Sequence, residues 1–521
     1  MEVVGMKWSE NISIGSLALY VGGFLMLLLF WRKFRGGKKL RLPPGPSGWP
    51  LLGHLPLLGT MPHVALMNLS RTYGPLMSIR LGTAPAVVVS SPEMARMVLK
   101  TQDHLFATRP RTITGEVFFY NFKDMVFSSS TDHWRFVRRI FDTEILSLRR
   151  LGNLKSFTEE EMKTTVERML REGRDGRLVE IDRNMAQSSF DIMCRISFNK
   201  TGYFEQKIPS STSQEEPVHL PSVMADFCSI TGGFFVGEYI PFLRKLDLGG
   251  FEARLLELRK RFSKFLSPII EEHRQRGDGE AQDFLDVLLS LQRDGAGNGF
   301  PNDEIKALLQ NMLLAGTETD ANTSIWLLAE LMRHSEVRQK LVDELDSVVG
   351  QDRLVEDSDL HHLKYLKATV KEAFRMYPVV PLLVPHAASE DTTVAGYDIP
   401  KGTRLLVNAY ALGRDSTVWT NPNTFDPERF VGKSTDVRGQ HFELLPFSSG
   451  RRACPGMEMG IHRVELRLAQ ILQTCVLSLP SGVKIDVEEA PGITLPRAHP
   501  LQVLVTPRLQ PEIYYRNGIR F

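Results

Sequence analysis

Cysteine is scarce: Cys194, Cys228, Cys454 and Cys475 are the only four in 521 residues, and no two form a Cys-x-x-Cys pair. That excludes a disulfide framework, a zinc ribbon and thioredoxin chemistry, and it suits a reducing compartment. Net charge is equally thin. Lys+Arg 63 against Asp+Glu 61 leaves +2, so the balance draws in neither nucleic acid nor an acidic partner. There is no internal repeat and no low-complexity tract, and no Gly-x-Gly-x-x-Gly follows a strand. The chain therefore has no dinucleotide-binding fingerprint of its own. A mean hydropathy of −0.15 excludes a polytopic membrane protein, while a 42% hydrophobic share is enough to fill a large core.

One long uncharged run stands out, Ile12 to Trp31. At about 1.5 Å per residue it reaches roughly 30 Å, the thickness of the hydrocarbon core. Arg32, Lys33, Arg35, Lys38, Lys39 and Arg41 follow it and only Lys7 precedes it. The positive-inside rule then sends the N-terminus across and keeps the body cytosolic. Residues 1–31 read as a lumenal tip and a single transmembrane signal anchor. Residues 32–50 read as a basic cluster and a stiff hinge at Leu42-Pro43-Pro44-Gly45-Pro46. Residues 51–521 read as one cytosolic catalytic domain.

Helical periodicity dominates that body: Glu159 to Arg174, Gly250 to Arg276, Asp303 to Arg333, Ser335 to Val349 and Lys364 to Tyr377. Short strands are expected at Leu76 to Leu81, Ala86 to Ser90, Thr392 to Ile399 and Arg404 to Ala409, and surface loops at Pro209 to Pro217 and Arg293 to Gly299. The fold class is mainly α with a minor β-sheet region.

The most informative stretch is Phe447-Ser448-Ser449-Gly450-Arg451-Arg452-Ala453-Cys454-Pro455-Gly456. A proline directly after the cysteine predicts that Cys454 caps a helix running towards Leu477, where N–H groups from Gly456 onward favour a thiolate. Small residues beside it admit something flat and bulky. Phe447, Gly450, Arg452, Cys454 and Gly456 fill every fixed position of Phe-x-x-Gly-x-Arg-x-Cys-x-Gly, and in this the chain resembles the cytochrome P-450 superfamily.

The resemblance extends from the proline elbow to about Leu509 and implies that fold, with Cys454 as the metal ligand of a haem b (iron protoporphyrin IX). It implies that Glu372, Arg375 and Arg429 form a buried structural triad behind the haem. The glycine and threonines would interrupt the hydrogen-bond ladder of their helix, and Ala315 and Gly316 would leave space for dioxygen. Thr319 and Glu318 would be catalytic, steadying oxygen and passing protons. Asp320 departs from the small or hydroxylated residue usual in relatives. Trp134, Arg138, Arg452 and His386 would hold the haem carboxylates.

The implied activity is a monooxygenase using O2 and NADPH-derived electrons from a separate membrane-bound NADPH-cytochrome reductase, in the endoplasmic reticulum membrane. Arg135, Arg139, Arg451 and Arg463 are candidates for the docking face. Phe118, Phe119, Tyr120, Phe122, Asn311, Met312, Leu313, Val380, Leu382, Leu383, Ile493 and Leu495 match the recognition segments and point to a small hydrophobic substrate. Leu444-Leu445-Pro446-Phe447 and Gly492-Ile493-Thr494-Leu495-Pro496-Arg497 look most like plant hydroxylases of phenylpropanoid and flavonoid rings in secondary metabolism. Terpenoid or fatty-acid hydroxylation, or an isomerase or dehydratase that uses no O2, are the alternatives.

Overall fold

The computed structural model describes residues 21–26, 40–146, 148–206, 217–276, 283–293 and 301–521. Most of the anchor and basic cluster, and most of the two expected surface loops, lie outside them. Among the described residues no helix is long and apolar enough to cross a membrane.

The longer helices are α1 (Pro62–Tyr73), α2 (Asp132–Ile140), α3 (Leu148–Glu172), α4 (Ile181–Phe198), α5 (Leu220–Thr231), α6 (Phe251–Gln275), α7 (Phe284–Arg293), α8 (Asn302–Arg333), α9 (Ser335–Val348), α10 (Lys364–Met376) and α11 (Met457–Thr474). Buried apolar positions on nearly all of them merge into one core around α8, including Leu308, Leu309, Leu313 and Trp326. Because α8 is buried almost all round, polar residues included, it runs through the interior rather than along a face. Asp303 and Glu304 in its first turn and Arg333 in its last oppose the helix dipole.

The strands are β1 (Leu76–Leu81), β2 (Ala84–Val89), β3 (Leu178–Glu180), β4 (His386–Ala387), β5 (Thr392–Val394), β6 (Tyr397–Ile399), β7 (Arg404–Val407), β8 (Cys475–Ser478) and β9 (Gln502–Pro507). One sheet runs β1-β2-β7-β4, with β2 and β7 parallel. A second runs β3-β9-β8, and β5 with β6 makes a hairpin. The expected Thr392 to Ile399 strand is thus two, because Ala395 and Gly396 turn at positive φ. The proline elbow is docked rather than free. Pro43 and Pro44 carbonyls accept from Ser78 Oγ at 2.7 Å and Ser78 N at 2.8 Å. A Cβ on Gly45 would lie 2.0 Å from the Ser78 carbonyl, so only glycine fits there.

The helix after Cys454 starts later and stops earlier than expected. Gly456 is its N-cap and Met457 its first residue, and the chain leaves it at Cys475 to become β8.

Candidate active site

Of the four cysteines only Cys454 is exposed, and it is exposed because its sulfur opens on an internal cavity. The loop that delivers it is folded back on itself, Cys454 N–H donating to the Phe447 carbonyl at 2.9 Å. Gly450 sits at φ +72°, and a Cβ there would lie 2.2 Å from the Leu99 carbonyl, which accounts for glycine at that point. Burial pushes the Cys454 thiol up, while the Gly456 N–H and the charge of Arg138 pull it back down. The expected donor is therefore in place, but burial outweighs it in the metal-free protein. Phe447 packs edge-on against Phe374 of α10 at 5.1 Å, tying the loop to the Glu372 triad.

Across the cavity from this loop runs α8. Its ladder is unbroken from Asn302 to Arg333, so the expected interruption does not occur. Space comes instead from side-chain size: Ala315 is exposed in mid-helix, and Gly316 and Thr319 line the same cavity. The Thr319 hydroxyl donates to the Ala315 carbonyl at 2.6 Å, a local bond that competes with any partner in the cavity. Glu318 is half-buried and is not among the residues lining the cavity. Burial pushes its carboxyl up, with the neighbouring charge of Asp320 adding to the shift.

The third wall is basic. Arg452 is buried and donates to the carbonyls of Ala107 at 2.7 Å, Ser128 at 2.7 Å and Met125 at 3.3 Å, with its guanidinium 3.9 Å over the Trp134 ring. The Trp134 indole, expected to face a carboxylate, donates to the Met125 carbonyl at 3.1 Å. Arg138 reaches the Ala453 carbonyl at 2.7 Å and Asp142 at 2.9 Å. His386 is buried with Nδ1 2.8 Å from the Phe106 carbonyl. Burial, with Arg109 and Arg452 beside it, drives its pKa well down, so the expected cation is a neutral ring.

Arg109 was not anticipated. It donates to the carbonyls of Val126 at 3.0 Å, Val384 at 2.6 Å and Pro385 at 2.9 Å, and burial pulls its pKa down to about 9. Its carbonyl partners are scattered from 126 to 385, so no local pattern marks it.

Residues 43–504 match the Cytochrome P450 family. The chain belongs to the cytochrome P450 family. Flavonoid 3'-monooxygenases from Arabidopsis thaliana and Petunia hybrida are each 38% identical, over 94% and 96% of this chain and 96% and 100% of their own. A P450 from Panax ginseng whose name states no substrate is 37% identical over 90% of this chain and 94% of its own. A solved zebrafish cytochrome P450 structure with abiraterone superposes with a TM-score of 0.72 at 28% identity, covering 87% of this chain and all of that one. The protein is accordingly a P450 monooxygenase whose haem iron takes a cysteine thiolate.

The cavity fits that group. A single exposed sulfur lies at one wall and small residues at the other. Four guanidiniums, those of Arg109, Arg138, Arg452 and Arg463, and a histidine line the rest, with Asp124 acting on Arg109 and Arg452, Asp142 paired to Arg138 and Asp320 to Arg463. Burying like charges together is costly without counter-charge, and two propionates supply it. Arg463, by contrast, cannot dock a partner: it is 1% exposed, whereas Arg135, Arg139 and Arg451 are on the surface.

The recognition segments divide. Asn311, Met312, Val380 and Leu383 line the haem-side cavity, and Leu382, Ile493 and Leu495 line a second, outer one. Val380, Leu383 and Val384 border both and join them. Phe118 and Phe119 are core, packed on Phe227 at 4.4 and 5.9 Å, and Leu313 is fully buried.

Proposed function

We propose that this P450 hydroxylates the aromatic ring of a flavonoid or related phenylpropanoid. The observation that carries the reading is near-complete coverage by flavonoid hydroxylases, joined to a haem-side cavity walled by Met312, Val380 and Leu383 and carrying the amide of Asn311. Such walls suit a flat ring with few hydroxyls. Bound haem supplies the oxygen-activating chemistry, one oxygen atom entering the substrate and the other leaving as water. Cys454 would hold its iron through the thiolate. Arg109, Arg138 and Arg452 neutralise its carboxylates, with His386 as a neutral neighbour. The Thr319 hydroxyl, released from the Ala315 carbonyl, holds and passes a proton on the oxygen side, and Glu318 resupplies it.

Electrons come from NADPH through a separate membrane-bound reductase that meets the face carrying Arg135, Arg139 and Arg451. Residues 12–31 anchor the chain in the endoplasmic reticulum membrane. Exposed apolar side chains support a membrane-facing edge. Trp49 and Leu52 are joined through the Leu52–Gly82 and Thr83–Tyr239 hydrogen bonds to the segment bearing Phe242 and Leu246.

The test is microsomal protein with reductase, NADPH and a panel of flavanones, terpenoids and fatty acids. A thiolate-type carbon monoxide band with ring hydroxylation of a flavanone is expected, with Cys454→Ser abolishing the band and Thr319→Ala diverting NADPH to peroxide. Turnover of a terpenoid or fatty acid with no flavanone turned over would overturn the substrate assignment.

A further inference from the structure

Asp320 lies one helical turn beyond Gly316 on α8 and is 5% exposed. Its Oδ2 forms an ion pair with Arg463 Nη2 at 2.9 Å and accepts from Arg467 at 3.4 Å, two guanidiniums on successive turns of α11 that are each 1% exposed. Arg467 donates onward to Ser324 Oγ at 2.9 Å and Ser189 Oγ at 3.0 Å. Arg463 donates to the Gly316 carbonyl at 3.2 Å and the Ser189 carbonyl at 3.3 Å, and it rests against Met193 Sδ at 3.2 Å. Met193 in turn occupies the space beside Gly316, where a Cβ would come within 2.5 Å of it. Three helices, α4, α8 and α11, therefore converge on one carboxylate.

The placement gives this cluster its meaning. Gly316 and Thr319 form the wall opposite Cys454, and α11 starts three residues after Cys454. Asp320 and Arg463 themselves border the haem-side cavity. A buried ion cluster is seldom more stable than well-packed apolar side chains of the same volume, so stability does not explain charge here. The cluster is also unbalanced, one carboxylate against two guanidiniums. Glu161, whose charge would act on Arg467, is pushed up to about 8 and is mostly protonated at neutral pH.

We propose that Asp320, Arg463 and Arg467 are positioning residues. They clamp the Gly316–Thr319 turn to the helix of the cysteine loop and place a surplus positive charge beside the haem. The inference rests on family membership, not on the flavonoid assignment. The clamp holds the oxygen-side wall in register, through the fork of Arg463 on the Gly316 carbonyl and the Asp320 carboxylate. The surplus charge favours the reduced, less positive iron and so raises its reduction potential.

Full-length haem-loaded protein carries the test, with carbon monoxide as the probe. Arg463→Met leaves the Asp320–Arg467 pair and removes the surplus charge together with the contacts of Arg463 to Asp320 and to the Gly316 and Ser189 carbonyls. The expected result is a retained thiolate-type band, a reduction potential moved negative, several-fold faster amide exchange over residues 316–320, and a shifted C–O stretch. Arg463→Lys should restore the potential but not the exchange protection, because a point charge lacks the fork. If Arg463→Met does not fold, Arg463→Gln carries the same test, with a lowered potential and exchange held nearer the wild type. Potential and exchange both unchanged in whichever variant folds would make the cluster a packing strut and overturn the proposal. Loss of the thiolate band in the wild type would instead overturn the haem-thiolate reading.

Discussion

Replacing Glu372 by glutamine tests the structural triad at one bond. The Glu372 carboxylate is fully buried and accepts from Arg375 Nε at 2.7 Å and Nη2 at 2.8 Å, Arg429 Nε at 3.0 Å and the Asp426 N–H at 2.8 Å. Glutamine keeps the shape but turns one acceptor into a donor facing a guanidinium, and it leaves two buried cations without their anion. Removing one partner of such a cluster costs about 3–5 kcal/mol. A thermal melt reads this poorly, since in a chain this long 1 kcal/mol moves the midpoint only about 1 °C, and large proteins are rarely two-state. Amide exchange reads it locally. If opening of this region governs exchange of the Asp426 N–H, the loss accelerates it by roughly two to three and a half decades at 1.4 kcal/mol per decade. The amides of α10 should accelerate with it, while those of the β5–β6 hairpin stay as they are. Exchange at Asp426 within a factor of about three of wild type would show that the ion cluster holds nothing together.

Arg109→Met should release haem to a scavenging apoprotein about tenfold faster or more, the worth of one or two charge-assisted hydrogen bonds, with Arg109→Lys intermediate; an unchanged transfer rate removes Arg109 from the carboxylate site. Glu161 gives a pH test. Its carboxyl is pushed to about 8 by burial and by the charge of Asp191, so the folded state holds a proton that the unfolded state has lost. That contribution is full below the unfolded value of about 4.3 and is lost as pH rises through about 8. Glu161→Gln should match wild type near pH 4, exceed it by about 4–5 kcal/mol at pH 8, and lose the slope in urea unfolding between; parallel pH profiles for the two proteins would refute this.

How legible all this was in the sequence depended on whether the signal was local. Helix α8 was readable nearly to the residue because its apolar run and its acidic first turn sit inside one window. The cysteine loop was readable because five fixed positions fall within ten residues. Arg109 was not, since its meaning comes from carbonyls at 126, 384 and 385. Arg463 was placed on the surface because arginine usually is. The contrary signal was present: Met459, Arg463 and Arg467 share one face of α11 at i, i+4 spacing, the face on which Met459 meets the cavity. A charge repeated on an inward stripe predicts a buried counter-ion, and the unusual Asp320 supplies it. The unbroken ladder of α8 was also out of reach, because glycine and threonine lower helix propensity without deciding what a packed interior imposes.

Three clusters of buried charge differ in whether they border the cavity of Cys454. Around Glu372 the acid is saturated with donors and borders no cavity, which is the arrangement of a strut. At Asp320 the charges border the cavity and sum to a surplus. Along the third wall Arg109, Arg138 and Arg452 converge; Asp124, pushed up to about 6 by burial, acts on Arg109 and Arg452, Asp103 also acts on Arg452, and Asp142 pairs with Arg138. The Glu372 and Asp320 clusters each set one carboxylate against two guanidiniums, and only the second borders the cavity of Cys454, where Arg109, Arg138 and Arg452 add further positive charge. A dianionic cofactor bound there lowers a free energy that the apoprotein has already raised, so haem binding and folding must be strongly coupled. Burial, reinforced by Arg109 and Arg452, keeps His386 neutral among these cations.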